Sequence, residues 1–116
     1  NLLNKENGSQ LVTGVTIVRS DFLKENEEAV KLFIEDHKAS AAYTSEHLDE
    51  AAEMVAALGI VEKAPIAKKA MPACNIVCIT GEEMKSALSG YLSVLEAADA
   101  KSVGGQLPAD DFYYLP

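Results

Sequence analysis

Two cysteines and two histidines are the side chains that come closest to metal or nucleophilic chemistry in this sequence. Cys74 and Cys78 are the only cysteines, and His37 and His47 are the only histidines. Three or four ligands are needed for a zinc site, and the CxxxC spacing supplies two. The sequence also contains no HExxH pattern and no GxSxG elbow. We therefore expect no catalytic residues, no metal site and no cofactor.

The segment that carries the cysteines predicts a strand. Residues 74–79, CNIVCI, are mostly apolar and contain β-branched side chains, which is typical of a buried strand. Four residues of strand separate the Cα atoms of Cys74 and Cys78 by roughly 13 Å, whereas a disulfide needs less than about 7 Å. We therefore expect two buried free thiols.

A predicted helix that begins directly after this strand offers one local binding site. Backbone N–H groups at a helix N-terminus attract anions, although capping by Thr80 and Glu83 is the simpler interpretation. Ligands of α/β folds bind at the ends of strands. The candidate ligand-binding residues, which end or follow the predicted strands, are Arg19, Asn75, Thr80 and Gly81.

The remaining elements follow from side-chain periodicity. Residues 11–18, LVTGVTIV, predict the first strand because of their β-branched density. Apolar residues at three- and four-residue spacing, together with end signals, indicate four helices: one capped by Asn26 that runs to about Tyr43; a second one capped by Thr44 or Ser45 and stopped by Gly59; Pro65–Ala70, which Pro72 prevents from continuing; and Thr80 to about Ala98. The prediction is a helix-rich α/β fold with about four helices and two strands.

Composition narrows the class of function. The 116 residues carry a net charge of −8, and this acidic balance argues against a nucleic-acid partner, since phosphate binding needs a basic face. No apolar run approaches the length of about 20 residues that spans a membrane. Residues 1–10 are polar and predict a leader or linker, and residues 11–116 predict a single domain. The polar start at Asn1 is typical of a chain cut from a longer one.

Several phrases of the sequence resemble ABC-transporter solute-binding proteins of the nitrate, sulfonate, taurine and thiamine-precursor type. The first is Asp21, Phe22 and Leu23, then Asn26 and a helix start at residues 27–30. The family usually has proline where Glu27 stands. The phrases HLDEAAEMVAALGI, PACNIVCITGEEMKSALSGYLSVL and SVGGQLPADDFYYLP also resemble the family, so the likeness covers about residues 11–116.

This resemblance implies a function and a cellular location. The chain would be the C-terminal part of a periplasmic-binding-protein-like fold, the extracytoplasmic component of an ABC importer, without catalysis. It would capture a small anionic or heterocyclic solute by closure of two lobes and deliver it to the permease. The implied location is the periplasm or the cell surface as a lipoprotein, with membrane attachment only through an N-terminal anchor that this sequence lacks.

Two other functions stay open at this point. A helical protein-interaction domain would use the amphipathic stripes to bind a partner helix. A thiamine-pyrimidine-synthase-like enzyme would share the fold but would need a histidine in its cleft. The open edges of two predicted strands favour pairing with another chain. The sequence therefore also predicts that the chain can form a homodimer.

Overall fold

The structure, a computed structural model, describes residues 10–116. These residues form two compact units. One unit is Ser20–Cys78, and the other combines residues 10–19 with residues 79–116.

The predicted α/β class is wrong, because residues 10–116 contain helices and no strand. The segments predicted as strands, residues 11–18 and 74–79, have no strand hydrogen-bonding pattern, and Cys74 ends a 3₁₀ turn instead. β-branched side chains favour extended backbone, but a strand also needs a neighbouring strand to complete its hydrogen bonds. The apolar side chains of these segments are largely in solvent, and Ile17 is 82% exposed.

The first unit, residues 20–78, is a succession of helices separated by single-residue or short breaks. Their bounds are α1, Ser20–Glu25; α2, Glu27–Glu46; α3, Leu48–Ala57; and α4, Ala64–Ala70, which continues as a 3₁₀ turn over Met71–Cys74. The α-helix ends at Ala70, before Pro72 as the sequence predicts, and Pro72 lies inside the tighter 3₁₀ turn that follows. Helices α2, α3 and α4 thus lie close to the predicted positions, while α1 was not predicted.

Asn26 separates α1 from α2, but its side chain does not form the N-cap of α2 that the sequence predicts. Its side chain was expected to cap α2. Instead, its Nδ2 donates back to the carbonyl oxygen of Phe22 at 3.2 Å, and its backbone N–H donates to the same oxygen at 2.8 Å. Asn26 therefore completes the end of α1, while its non-helical backbone lets α2 begin afresh at Glu27.

The core of this unit is made of small side chains from α3 and α4. Ala51 and Ala52 of α3 are buried with Ala67 of α4 and with Met71. Alanine at these positions lets the two helices approach closely, and a ring of partly buried side chains surrounds them: Tyr43, Leu48, Val55 and Val61. The predicted stop of α3 at Gly59 is confirmed, since Gly59 has a φ of +73° that favours glycine.

The second unit is organised by α5, Gly81–Ala98. The chain beyond α5 forms 3₁₀ turns at Ala100–Val103 and Asp110–Phe112. Lys85 of α5 lies 3.0 Å from the Asp110 carboxylate and 5.9 Å from the ring centre of Tyr113, which is buried. The hydrogen bond to Asp110 raises the pKa of Lys85 above its usual value. The aromatic tail is therefore attached to α5.

Candidate functional site

The densest group of interacting polar side chains in residues 20–78 lies where α2 meets α3. The Tyr43 O–H donates to Oε2 of Glu50 at 2.7 Å. The His47 ring stacks on the Tyr43 ring with centres 4.4 Å apart, and its Nδ1 lies 3.9 Å from Oε1 of Glu50. Across from them, Lys68 of α4 pairs with Asp49 of α3. We call these five residues the polar corner.

The local sequence explains why these side chains meet. Tyr43 and His47 are four residues apart and so lie on the same face at the end of α2. His47 then leaves helical backbone geometry, with φ −128° and ψ 53°, so that α3 can begin at Leu48. Glu50 stands in the first turn of α3, where a carboxylate suits the positive end of the helix dipole.

The residues that were expected to cap the second helix have a different role. Thr44 and Ser45 lie inside α2, and their hydroxyls donate to the carbonyl oxygens of Ala41 at 2.7 Å and Ala42 at 3.0 Å. Hydroxyls bonded to the preceding turn of their own helix are not free to cap the next one. His47 therefore occupies the N-cap position of α3 without a side-chain capping bond.

The polar corner borders an open depression of about 380 Å³, lined by residues 45–50 and Lys68. Three carboxylates, Glu46, Asp49 and Glu50, face it against one ammonium group. This charge favours a neutral or cationic polar ligand over an anion. Since the side chains that line the depression are open to water, the depression can offer hydrogen bonds to a polar ligand.

The Tyr43–Glu50 hydrogen bond predicts a measurable titration. Because the phenol donates to the Glu50 carboxylate, the pKa of Tyr43 is raised above 10.0, with burial and the carboxylate charge adding to the effect. The bond is therefore present at neutral pH and is lost as the pH rises through the raised pKa. We expect Tyr43→Phe to remove a late-ionising component from the tyrosinate absorbance titration.

The matched control is Tyr91→Phe, which removes a tyrosine of α5 that has no part in the polar corner. This control should leave the late component in place. If Tyr43→Phe and Tyr91→Phe change the titration equally, then the hydrogen bond to Glu50 is not made in solution.

The predicted ligand-binding residues fall in different units. Arg19, Thr80 and Gly81 belong to the unit of residues 10–19 and 79–116, whereas Asn75 belongs to residues 20–78. Thr80 and Gly81 are chain neighbours at the start of α5, and the Thr80 side chain makes no capping hydrogen bond. Gly81 has a φ of +67° and Asn75 a φ of 50°, both in the left-handed region. Since the described residues contain no strand, none of these four residues lies at a strand end as predicted.

The cysteines and histidines differ partly from expectation. Cys74 is exposed rather than buried, and Cys78 is half-buried; both are free thiols. The separation of about 13 Å that was expected for a strand no longer applies to them. His37 packs edge-on against Phe33 with ring centres 5.6 Å apart. Among residues 10–116, no cluster of three or more His, Cys, Asp or Glu side chains could hold a metal ion.

The polar corner was not predicted, although the sequence holds a signal for it. Tyr43, His47 and Glu50 follow one another at four- and three-residue spacing, which places them on one side of a continuous or slightly broken helix. The Lys68–Asp49 pair has no such signal, because it depends on how α4 packs against α3.

Comparison with known proteins adds no relative: no family model, curated protein or solved structure matches the chain. Within the described residues, no helix is both long and apolar enough to cross a membrane. The resemblance to solute-binding proteins therefore stays a prediction made from the quoted phrases.

Proposed function

We propose that this chain is the extracytoplasmic solute-binding component of an ABC importer, which captures a small solute and delivers it to the permease. The observation that carries the proposal is the position of the first resembling phrase. Asp21, Phe22 and Leu23 lie in α1, Asn26 forms the break, and α2 begins at Glu27. The start of α2 at Glu27 supports the proposal, although the family usually has proline at this position.

The phrase at the end of the chain supports the same proposal. SVGGQLPADDFYYLP resembles the family ending, and its residues Asp110 and Tyr113 both interact with Lys85 of α5. The phrase is thus part of a folded unit, with Tyr113 buried, and not an unattached end. Two separate phrases of the resemblance consequently have defined structural roles.

The charge distribution selects among the solutes that the resemblance allows. Thr80 and Gly81 present the N-terminus of an 18-residue helix, which favours anions, but Glu82 and Glu83 stand in the same first turn and repel them. The depression at the polar corner is also acidic. We therefore favour a neutral or cationic heterocycle, such as a thiamine-type pyrimidine, over nitrate or a sulfonate.

A thermal-shift screen tests the proposal. The probes are the aminopyrimidine precursor of thiamine, taurine and nitrate, each added to the purified chain at millimolar concentration. A ligand at one hundred times its Kd stabilises by about 2.7 kcal/mol, which corresponds to a rise in Tm of about 10 °C for a chain of this size. We expect the pyrimidine to give the largest rise. No shift with any of the three probes would contradict the proposal.

A helical protein-interaction domain is a second candidate, favoured by large apolar side chains in solvent on α2 and around the end of α3. Leu32, Phe33, Leu58 and Ile60 are all more than half exposed. Exposed side chains of this size are typical of surfaces that bind a partner helix or a second copy of the chain. Sedimentation discriminates the candidates, since this function predicts concentration-dependent association without any solute.

A further inference from the structure

The two cysteines of the chain lie four residues apart at the end of the first unit. Cys74 ends the 3₁₀ turn that follows α4, and Cys78 is the last residue of the unit Ser20–Cys78. Cys74 is exposed, Cys78 is half-buried, and both thiols are free. Because the sequence contains no third cysteine, a disulfide within one chain can form only between these two.

The backbone between the two cysteines turns directly after Cys74. Asn75 has φ 50° and ψ 55°, in the left-handed region, and a left-handed residue at the end of a helical turn reverses the course of the chain. Side chains four residues apart on one helical turn have their Cβ atoms about 5–6 Å apart, and a disulfide needs about 3.5–4.5 Å. Closure of residues 74–78 into a tight turn therefore brings the two sulfur atoms within bonding range.

Few interactions in the described structure oppose this closure. Residues 76–78 lie in neither helix nor strand, and their backbone groups make no hydrogen bond with the backbone of residues 10–116. Ile76 is 42% exposed and Val77 is 64% exposed, so burial does not fix their side chains. The Cys74 thiol donates to the carbonyl oxygen of Ala70 at 3.3 Å, and a thiol is a weak donor. The segment can thus change shape without disruption of the core between α3 and α4.

We propose that Cys74 and Cys78 form a redox-sensitive thiol pair, which a peroxide converts into an intramolecular disulfide and a dithiol reduces again. Cys74 reacts first because its thiol is exposed, and Cys78 is the resolving thiol. The proposal concerns residues 74–78 alone. It goes beyond the proposed solute-binding function and does not depend on it.

The oxidation consists of two balanced steps. The Cys74 thiolate attacks one oxygen of hydrogen peroxide, the O–O bond breaks, and Cys74 becomes a sulfenic acid. The second oxygen leaves as hydroxide and takes up the proton of the Cys74 thiol to form water. The Cys78 sulfur then attacks the Cys74 sulfur, the S–S bond forms, and the S–O bond breaks. The hydroxyl group leaves with the Cys78 proton as a second water, so two electrons have passed from the thiols to the peroxide.

Peptide mapping of the oxidised chain tests the proposal. The probe is stoichiometric hydrogen peroxide, added to the purified folded chain before unreacted thiols are alkylated and the chain is digested with trypsin. Trypsin cuts after Lys69 and Lys85, so both cysteines stay on the peptide of residues 70–85. We expect this peptide to lose the mass of two hydrogen atoms and to escape alkylation, and we expect dithiothreitol to restore both thiols.

Two results of the mapping would overturn the proposal. One is a disulfide-linked dimer of two chains as the main product, which would mean that Cys74 meets another molecule before it meets Cys78. The other is oxidation of Cys74 beyond the sulfenic acid while Cys78 is still alkylated, which would mean that no resolving thiol reaches it.

Single-cysteine variants test the roles of the two thiols. Cys78→Ser should abolish the reversible monomeric product and leave a Cys74 sulfenic acid that reacts with dimedone. Cys74→Ser should react with peroxide more slowly than Cys78→Ser does, because its remaining thiol is half-buried. A faster reaction of Cys74→Ser, or equal rates in the two variants, would overturn the assignment of Cys74 as the thiol that reacts first.

Asn75→Val tests the turn between the cysteines. A β-branched side chain disfavours left-handed backbone, so we expect the sulfenic acid of this variant to close to the disulfide more slowly. The control is Ile76→Val, which trims an exposed side chain of the same segment and should close as fast as the parent chain. Equal closure rates for Asn75→Val and the control would contradict the proposal. All variants should keep the helical circular dichroism of the parent chain.

Discussion

Replacement of Ala67 by aspartate is expected to lower the free energy of unfolding by about 3 to 5 kcal/mol, the range seen when a charge is left buried without a partner. Ala67 is 0% exposed and lies at the centre of the contact between α3 and α4. Its methyl group faces Ala51 and Ala52 of α3, and those side chains can neither pair with a carboxylate nor give way to it. A loss of this size is a large part of the stability of a small domain.

Urea unfolding followed by far-ultraviolet circular dichroism measures this effect. The control is Ala39→Asp, which adds the same charge at an exposed position in the middle of α2. We expect the control to lower the urea midpoint only slightly, because its carboxylate stays in water. Similar midpoints for the two variants would mean that α4 does not pack against α3 as described.

Truncation of Met71 to alanine is expected to cause the second largest fall in the free energy of unfolding. Met71 is 8% exposed and is the one long side chain in a core that otherwise consists of alanines. Removal of its thioether leaves a cavity that neighbouring methyl groups cannot fill. We expect the free energy of unfolding to fall by about 2 to 3 kcal/mol, near the lower end for buried methionine truncations, since the core is small.

Met54 provides the matched comparison, because it belongs to α3 but is 53% exposed. Met54→Ala deletes the same atoms. A difference between the urea midpoints of the two variants therefore reports the burial of the side chain and not its chemical composition. The expected order of urea midpoints is parent chain, then Met54→Ala, then Met71→Ala. The reverse order would place the core of residues 20–78 elsewhere.

The helices were predictable because their signals are local. Apolar residues at three- and four-residue spacing placed α2, α3, α4 and α5, and Gly59 marked the end of α3 correctly. Helix α1 was missed because the first helix was predicted to begin only at Asn26, after the expected strand of residues 11–18. The side-chain capping expected of Asn26 and of Thr80 is absent, since a cap depends on backbone geometry that the residue type alone does not determine.

The prediction of strands was wrong because a strand forms only when it pairs with a neighbouring strand, which the local sequence does not determine. Residues 11–18 and 74–79 have the composition of strands, but composition cannot supply the neighbouring strand whose N–H and C=O groups complete the ladder. The same limit applies to the site. The spacing of Tyr43, His47 and Glu50 is readable in the sequence, whereas the pairing of Lys68 with Asp49 arises only when two helices pack.

Because residues 10–116 contain no sheet, the predicted ligand-binding residues are supported as candidates by their own hydrogen-bonding groups alone. Arg19, Asn75, Thr80 and Gly81 were chosen because strand ends gather ligand-binding residues in α/β folds. Arg19 supplies a guanidinium that can donate to ring nitrogens, and Thr80 with Gly81 supplies the donors at the start of α5. These donors are the reason that the residues stay candidates for the proposed function.

Calorimetric titration of the purified chain with the thiamine-type pyrimidine tests the proposed function most directly. The proposal predicts saturable binding at one site, weakened about tenfold or more by Arg19→Ala, the usual cost of losing a charged hydrogen-bond donor. Lys24→Ala, which removes a cation five residues further along the chain in the last turn of α1, should bind as the parent chain does. Absence of saturable heat, or equal weakening in both variants, would contradict it.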